Sequence, residues 1–91
     1  MLKKPETVDL FITKYALTSG IRKYPCEIVN DMAVYRPSAN RMRQHFHVEG
    51  RDWHRTWEAA LKRANEMRDK KVEAMLKGAA RINAMSFKEP T

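Results

Sequence analysis

The sequence contains one cysteine, three glycines and no long apolar run. The single cysteine, Cys26, excludes a disulfide within the chain and is typical of a reducing compartment. Three glycines are too few for a glycine-rich loop of the kind that cradles phosphates. The apolar stretches are far too short to cross a bilayer, and residues 1–6 turn polar at once, without the apolar core of an export signal. We therefore expect a cytoplasmic protein.

Positive charge is in excess, because 18 Lys and Arg residues stand against 11 Asp and Glu residues and give a net charge of +7. This balance favours an anionic partner, such as a nucleotide, nucleic acid or an acidic protein surface. A chain of 91 residues has apolar surface for one core, so we expect a single domain over residues 1–91. Domains of this size are marginally stable, and association with further copies is a common remedy.

The first half of the chain is rich in β-branched and aromatic residues, which favour strands. We predict an antiparallel sheet of three to four strands over residues 7–50, closed by the turn at 50–52. Pro25 interrupts the ladder of the second strand, which predicts an edge position or a bulge there. The predicted strands cover residues 7–17, 21–29, 32–36 and 43–48, with turns at 18–20 and 30–31 and a loop at 36–41.

One long amphipathic helix is predicted over residues 56–86, with Thr56 as its N-cap and Glu58 in its first turn. The fold class is therefore α+β. Helix from Trp57 to Met85 measures about 43 Å, whereas short strands measure only about 17–20 Å, so the sheet can cover the first half alone. The apolar seam nevertheless continues, which predicts a homodimer or higher homo-oligomer through Val72, Met75, Leu76, Ala79 and Ile82. Alternatively, the helix breaks at Gly78 and its end folds back on its own sheet.

Arginine and tyrosine residues are interleaved through the sheet region, a mixture that suits nucleotides because guanidinium groups bind phosphate and tyrosine rings stack on bases. The loop at 36–43 carries three arginines and either folds over an anion or is a solvated basic loop. The predicted ligand-binding residues are Arg22, Tyr24, Arg36, Arg41, Arg43, His45 and His47.

Catalytic and metal-binding patterns are weak. His45 and His47 would share one face of a strand, a possible metal pair, with His54 further along, but no nearby cysteine or acidic residue completes a ligand set. Cys26 in a strand is more typical of a small core residue than of a nucleophile. We therefore expect no enzymatic activity, no cofactor and no metal.

Three segments together resemble a group of small phage and prophage proteins: TKYALTSGI at 13–21, GRDWHRT at 50–56, and EAA at 58–60 leading into ANEMRDKK at 64–71. The resemblance implies a first strand, a sheet, a threonine-capped helix and a closing lysine-rich helix, and it leaves residues 22–49 uncovered. The Thoeris anti-defence sponges are similar in pairing an antiparallel sheet with C-terminal helices. That likeness implies a phage protein that sequesters a nucleotide second messenger between subunits in the host cytoplasm.

A second resemblance is to the sheet-and-helix DNA-binding domains of AP2 type and of phage integrases, in which strand residues enter the major groove. This sequence departs from them in its longer helix and in lacking their arginine–tryptophan strand pattern. The sequence thus leaves three alternative functions, in order of preference: a nucleotide sponge, a sheet-type DNA-binding protein, or a protein-directed inhibitor such as an anti-CRISPR.

Overall fold

A computed structural model describes residues 6–38 and 41–90, which form a curled antiparallel sheet followed by one long helix. The predicted α+β fold class is confirmed. The five strands lie side by side in the order β4-β3-β2-β1-β5. The elements are β1 (Val8–Ile12), α1 (Ala16–Ser19), β2 (Arg22–Val29), β3 (Met32–Tyr35), β4 (Gln44–Phe46), β5 (Trp53–His54) and α2 (Trp57–Asn83).

The first strand is shorter than predicted, because β1 ends at Ile12 and residues 16–19 form the helical turn α1. Local hydrogen bonds replace the sheet ladder there. The Ala16 N–H donates to the Thr13 carbonyl at 3.0 Å, and the Thr18 hydroxyl donates to the Tyr15 carbonyl at 3.1 Å. Such short-range bonds compete with strand pairing. Gly20 then ends the turn with a φ of 77°, which glycine adopts readily because it has no Cβ.

The predicted turn at 30–31 is confirmed as a two-residue hairpin between β2 and β3, closed by the pair Val29 and Met32. Asn30 and Asp31 adopt φ values of 51° and 63°. Two successive positive φ angles are typical of the hairpin turn whose twist matches that of the strands, and Asn and Asp tolerate them well.

Pro25 lies in β2, which has a neighbour on each side in the sheet, yet the pairing at Pro25 itself is one-sided. β1 pairs with β2 from Arg22 to Cys26, whereas β3 pairs with β2 only from Cys26 to Val29. Pro25 is therefore beyond the end of the β3 ladder and sits in an edge-like position, where its missing N–H does not interrupt that ladder.

The end of the sheet differs from the prediction in two ways. β4 covers only Gln44–Phe46, and the expectation that residues 50–52 close the sheet is wrong because β5 follows them. The turn before β5 is fixed by Asp52, whose carboxylate accepts from the Val48 N–H at 3.1 Å and whose own N–H donates to the Val48 carbonyl at 2.8 Å. A strand of two residues is too short to show an alternating pattern.

The core lies on one face of the curled sheet, which we call the inner face. Residues that pair across strands share a face, so the pairs Ile12–Arg22, Leu10–Tyr24 and Ala33–Phe46 all belong to it. Tyr24, Ile28 and Tyr35 pack against the fully buried cluster. That cluster consists of Leu10, Ile12, Cys26, Ala33, Phe46 and Trp53.

The opposite, outer face carries Phe11 and His54 and receives the start of α2. Thr56 caps the helix as predicted, since its hydroxyl accepts from the Ala59 N–H at 3.2 Å. Ala60 is fully buried, and the Trp57 ring meets the Phe11 ring edge-on at 5.9 Å.

Helix α2 continues without a break through Gly78, so the alternative of a break there is wrong, and it ends at Asn83 rather than at residue 86. From residue 68 to residue 83 every position except the half-buried Gly78 is exposed. The second half of the helix therefore extends away from the sheet. The radius of gyration is 19.7 Å, against about 12 Å for a compact chain of this length.

Among the described residues, neither helix combines the length and the apolar character that crossing a membrane requires.

Candidate ligand-binding pockets

The first candidate site is a pocket on the inner face, which we call the Arg22 pocket. Strand alternation places the predicted ligand residues Arg22 and Tyr24 on the same face and puts Lys23 on the other. The chain segment around α1 forms the opposite wall. The pocket has a volume of about 110 Å³ and is lined by Ile12, Tyr15, Ser19, Gly20, Arg22, Tyr24, Gln44 and Phe46.

The wall of the Arg22 pocket combines a guanidinium group, two phenol rings, a hydroxyl and a side-chain amide. The Tyr24 ring stacks on the Tyr35 ring with centroids 4.1 Å apart and planes 3° from parallel, which orders the aromatic surface beside Arg22. These groups suit an anion with an attached ring. The volume of 110 Å³ is well below the roughly 300 Å³ of the smallest drug-sized sites, so this pocket holds one chemical group rather than a whole nucleotide.

The other predicted ligand residues do not converge on the Arg22 pocket. Arg36 forms an ion pair with Glu27 at 3.2 Å, and Glu27 alternates with Cys26 and so lies on the outer face. His45 pairs with Val34 and is likewise on the outer face. Arg41, Arg43 and His47 are exposed beside strand β4. The structure therefore splits the predicted set, with two residues in the pocket and the rest outside it.

Several cations elsewhere on the sheet are paired with carboxylates. Lys23 lies 3.9 Å from Asp9, and Arg55 lies 2.8 Å from Glu49. Arg51 contacts Asp52 at 3.3 Å. Burial alone would raise the pKa of Asp52, but hydrogen bonds from the Arg51 side chain and the Val48 N–H, with the charges of Arg51 and Lys14, hold this pKa below its ordinary value. These pairs reduce the positive charge that the sheet presents to a ligand.

A second pocket, which the sequence did not reveal, lies between the outer face and the first turns of α2. Its volume is about 250 Å³. We call it the Arg63 pocket. Its lining residues are Gly50, His54, Ala59, Lys62, Arg63 and Glu66. The sequence pattern assigns no ligand-binding role to the helical residues of this set and indicates His54 only as a distant third histidine.

His54 is held in a defined state beside the Arg63 pocket. The buried Thr13 hydroxyl donates to the Arg51 carbonyl at 2.8 Å and lies 2.9 Å from His54 Nε2. A hydroxyl has one proton to donate, so it accepts from His54, and Nε2 carries the proton. Burial and the nearby charge of Arg63 lower the pKa of His54 below its ordinary value, only partly opposed by Glu49 and Asp52. The ring is therefore neutral at pH 7.

Arg63, which lines this pocket, carries an unusual donor. Its Nε–H is buried and finds no hydrogen-bond acceptor among the described residues. The nearest carboxylate contact is from Nη1 to Glu66 at 4.0 Å, at the outer limit of an ion pair. A buried donor without an acceptor is rare in folded proteins and costs about 1–3 kcal/mol or more.

Cys26 and the histidines do not form a reactive or metal-binding site in the described part of the chain. Burial, with a smaller contribution from the charge of Asp9, raises the pKa of the Cys26 thiol to about 11. The thiol therefore stays protonated at neutral pH and is a poor nucleophile. Within residues 6–38 and 41–90, no three His, Cys, Asp or Glu side chains come close enough together to hold a metal ion.

Comparison of the chain with protein-family models, curated proteins and solved structures finds no match.

Proposed function

We propose that this protein is a non-enzymatic, oligomeric phage protein that inhibits host defence by binding and sequestering a nucleotide second messenger. The observation that carries the proposal is the meeting of Arg22 and Tyr24 with Tyr15 and Gln44 in one pocket. The link to phage proteins rests on the sequence resemblance of the segments at 13–21, 50–56, 58–60 and 64–71, and the link to defence inhibition rests on the likeness to the Thoeris anti-defence sponges.

The Arg22 pocket supplies the two contacts that a nucleotide needs. The Arg22 guanidinium binds phosphate oxygens, and the ring of Tyr15 or Tyr24 offers a face for the base. Because a pocket of 110 Å³ holds only one such group, the rest of the nucleotide extends over the inner face or onto a second subunit. This requirement is consistent with an oligomeric sponge.

Isothermal titration calorimetry against a panel of cyclic dinucleotides and glycocyclic nucleotides tests the proposal. We expect one site per subunit or per dimer, and recovery of the unchanged ligand after heat denaturation, identified by mass spectrometry. Arg22→Gln should weaken binding at least about tenfold, since a charge-assisted contact contributes about 1.5–3 kcal/mol. Lys23→Gln is the matched control, because Lys23 is adjacent but faces the other side of the sheet. The proposal would be contradicted if no nucleotide gave binding heat, or if Arg22→Gln and Lys23→Gln lost the same amount of affinity.

A second candidate function, DNA binding, is favoured by the exposed basic residues along strand β4. This strand is at the edge of the sheet, and Arg41, Arg43, His45 and His47 are all exposed there. Binding of duplex DNA would weaken steeply with salt because counterions are released. The double substitution of Arg41 and Arg43 by Gln should then reduce the slope of log K against log salt by about 2. If the protein retards duplex DNA on a gel but releases no heat in calorimetric titration with nucleotides, DNA binding would be favoured over the first function.

The proposed oligomer would form through the second half of α2. Val72, Met75, Ala79 and Ile82 follow one another at intervals of three, four and three residues, which is the spacing of a coiled-coil seam. The four large side chains of the predicted interface, Val72, Met75, Leu76 and Ile82, are 49–68% exposed in the single chain. Such a row of apolar side chains on a solvated helix supports pairing with a second copy.

A further inference from the structure

We propose that the Arg63 pocket binds a small oxyanion, either inorganic or the terminal phosphate or carboxylate of a larger molecule. This site is separate from the Arg22 pocket and does not rest on the proposed function. Its two parts are close in the sequence, with His54 on β5 and Arg63 nine residues later in the second turn of α2.

The buried Arg63 Nε–H is the first argument for a ligand. No acceptor within the described residues reaches it, and a guanidinium N–H in this state is an incomplete interaction. The Arg63 side chain as a whole is 25% exposed, so an oxyanion in the pocket would bind the accessible N–H groups of this guanidinium and would meet a charge of opposite sign. Arginine is well suited to the task, because its planar group offers donors in a geometry that matches carboxylate and phosphate oxygens.

The charges of the lining residues provide the second argument. Lys62 and Arg63 bring two positive charges to the wall, and Glu66 brings one negative charge. The Glu66 carboxylate stays 4.0 Å from Arg63 Nη1, so it does not form a close ion pair that would satisfy the guanidinium. The positive end of the α2 dipole adds to the same field, because Ala59 in the first turn also lines the pocket.

His54 provides the third argument, because it makes the inner wall rigid and keeps it uncharged. Only 3% of this residue is exposed, and its hydrogen bond to the buried Thr13 fixes the ring. The anion would therefore be held by Arg63 and Lys62 rather than by an imidazolium group. A rigid, buried wall opposite a cation favours ligand binding, because little side-chain motion remains to be lost.

The size of the pocket limits the ligand. A volume of about 250 Å³ is below the roughly 300–1,000 Å³ of sites for drug-sized molecules. It exceeds the roughly 30 Å³ that one water occupies in the liquid. One phosphate or carboxylate group with a few waters fits this space.

NMR titration of the ¹⁵N-labelled protein tests the site, with sodium phosphate, sulfate and acetate as probes at constant ionic strength set by sodium chloride. We expect saturable shifts of the Gly50 and Ala59 amides with at least one probe. Saturation by phosphate and sulfate alone would identify a tetrahedral oxyanion, and saturation by acetate would identify a carboxylate. Arg63→Gln should raise the dissociation constant at least about tenfold. Arg68→Gln should leave it unchanged, because Arg68 contacts only Asp69 on the exposed part of the helix.

Shifts that do not saturate, or that are equal in Arg63→Gln and Arg68→Gln, would overturn the site and show that water alone fills the pocket. Circular dichroism of both variants confirms that the helix is intact before the comparison. Arg22→Gln should keep the saturable amide shifts of Gly50 and Ala59, because Arg22 lies in the other pocket. Loss of nucleotide binding in the Arg22 pocket can therefore be distinguished from loss of anion binding in the Arg63 pocket.

Discussion

At the scale of single residues, the unusual feature is a neutral histidine buried against the start of the long helix. His54 donates through Nε2 to Thr13, and the same threonine donates to the Arg51 carbonyl. The chain of bonds joins strand β5, the loop before it and the end of β1. Protonation of the ring would place a second cation beside Arg63 in a buried position and is therefore unfavourable.

This arrangement predicts that acid destabilises the protein through His54. The pKa of His54 in the folded state lies below its ordinary value of 6.5, so the unfolded chain binds more protons in the window just below pH 6.5. The free energy of unfolding therefore falls as the pH decreases from 6.5 towards the folded-state pKa, by about 1.4 kcal/mol for each unit between the two pKa values.

Denaturant unfolding at a series of pH values measures the effect. His54→Gln keeps an N–H donor for Thr13 and does not titrate, so its free energy of unfolding should change less between pH 7.5 and pH 5 than that of the wild type. His47→Gln is the control, because His47 is exposed. An identical pH dependence in His54→Gln and the wild type would show that His54 is not the group responsible.

At the scale of the elements, α2 combines a well-defined start with a solvated second half. The Thr56 hydroxyl satisfies the Ala59 N–H, and Glu58 lies in the first turn near the positive end of the dipole. Glu73 and Lys77 form an ion pair at the i,i+4 spacing, at 3.1 Å. Beyond Met67 no part of the chain that the structure describes covers the helix, so its stability there depends more on interactions within the helix itself.

Removal of the cap should destabilise the protein as a whole, because the first turns of α2 carry Ala60 into the outer face of the sheet. We expect Thr56→Ala to lower the free energy of unfolding by about 1 kcal/mol. Thr56→Ser keeps the hydroxyl, so its free energy of unfolding should differ from that of the wild type by only a few tenths of a kcal/mol. Urea denaturation followed by circular dichroism compares the three proteins, and equal stability of the Ala and Ser variants would argue against the cap.

At the scale of the whole molecule, the dominant property is an elongated shape, 78 Å along its longest axis and 31 and 21 Å along the others. The sheet domain occupies one end, and the exposed half of α2 extends from it. Leu61 is also exposed, at 40%. It precedes Val72 by 11 residues and so lies on the same side of the helix. The apolar seam thus begins beside the sheet domain and continues to Ile82.

This shape leads to a prediction about mass in solution. We expect light scattering to give at least twice the chain mass of 10.7 kDa. Met75→Glu should shift the mass to that of one chain, since burying a charge in the seam is unfavourable and a large apolar side chain loses about 1.5–3 kcal/mol of burial. Ala80→Glu adds the same charge outside the seam and should leave the mass unchanged. A wild-type monomer with full helix content would contradict the proposed oligomer.

Features set by neighbouring residues were predictable. The Asn30–Asp31 turn, the Thr56 cap and the long helix each depend on interactions within a few positions of the chain. The strand ends were less predictable, because α1 and β5 depend on specific bonds made by Thr13 and Asp52 rather than on a repeating pattern. Of the predicted ligand residues, Arg22 and Tyr24 meet in one pocket because their alternation within one strand is a local property.

The sequence by itself thus determined an α+β domain with a long helix and an apolar seam, since periodicity and capping act over one or two turns. Only the tertiary structure decided which side chains share a site. It placed His45 on the outer face, paired Arg36 with Glu27, and brought His54 beside Arg63. These outcomes depend on strand register and on how α2 packs against the sheet, and both are fixed by contacts between residues far apart in the chain.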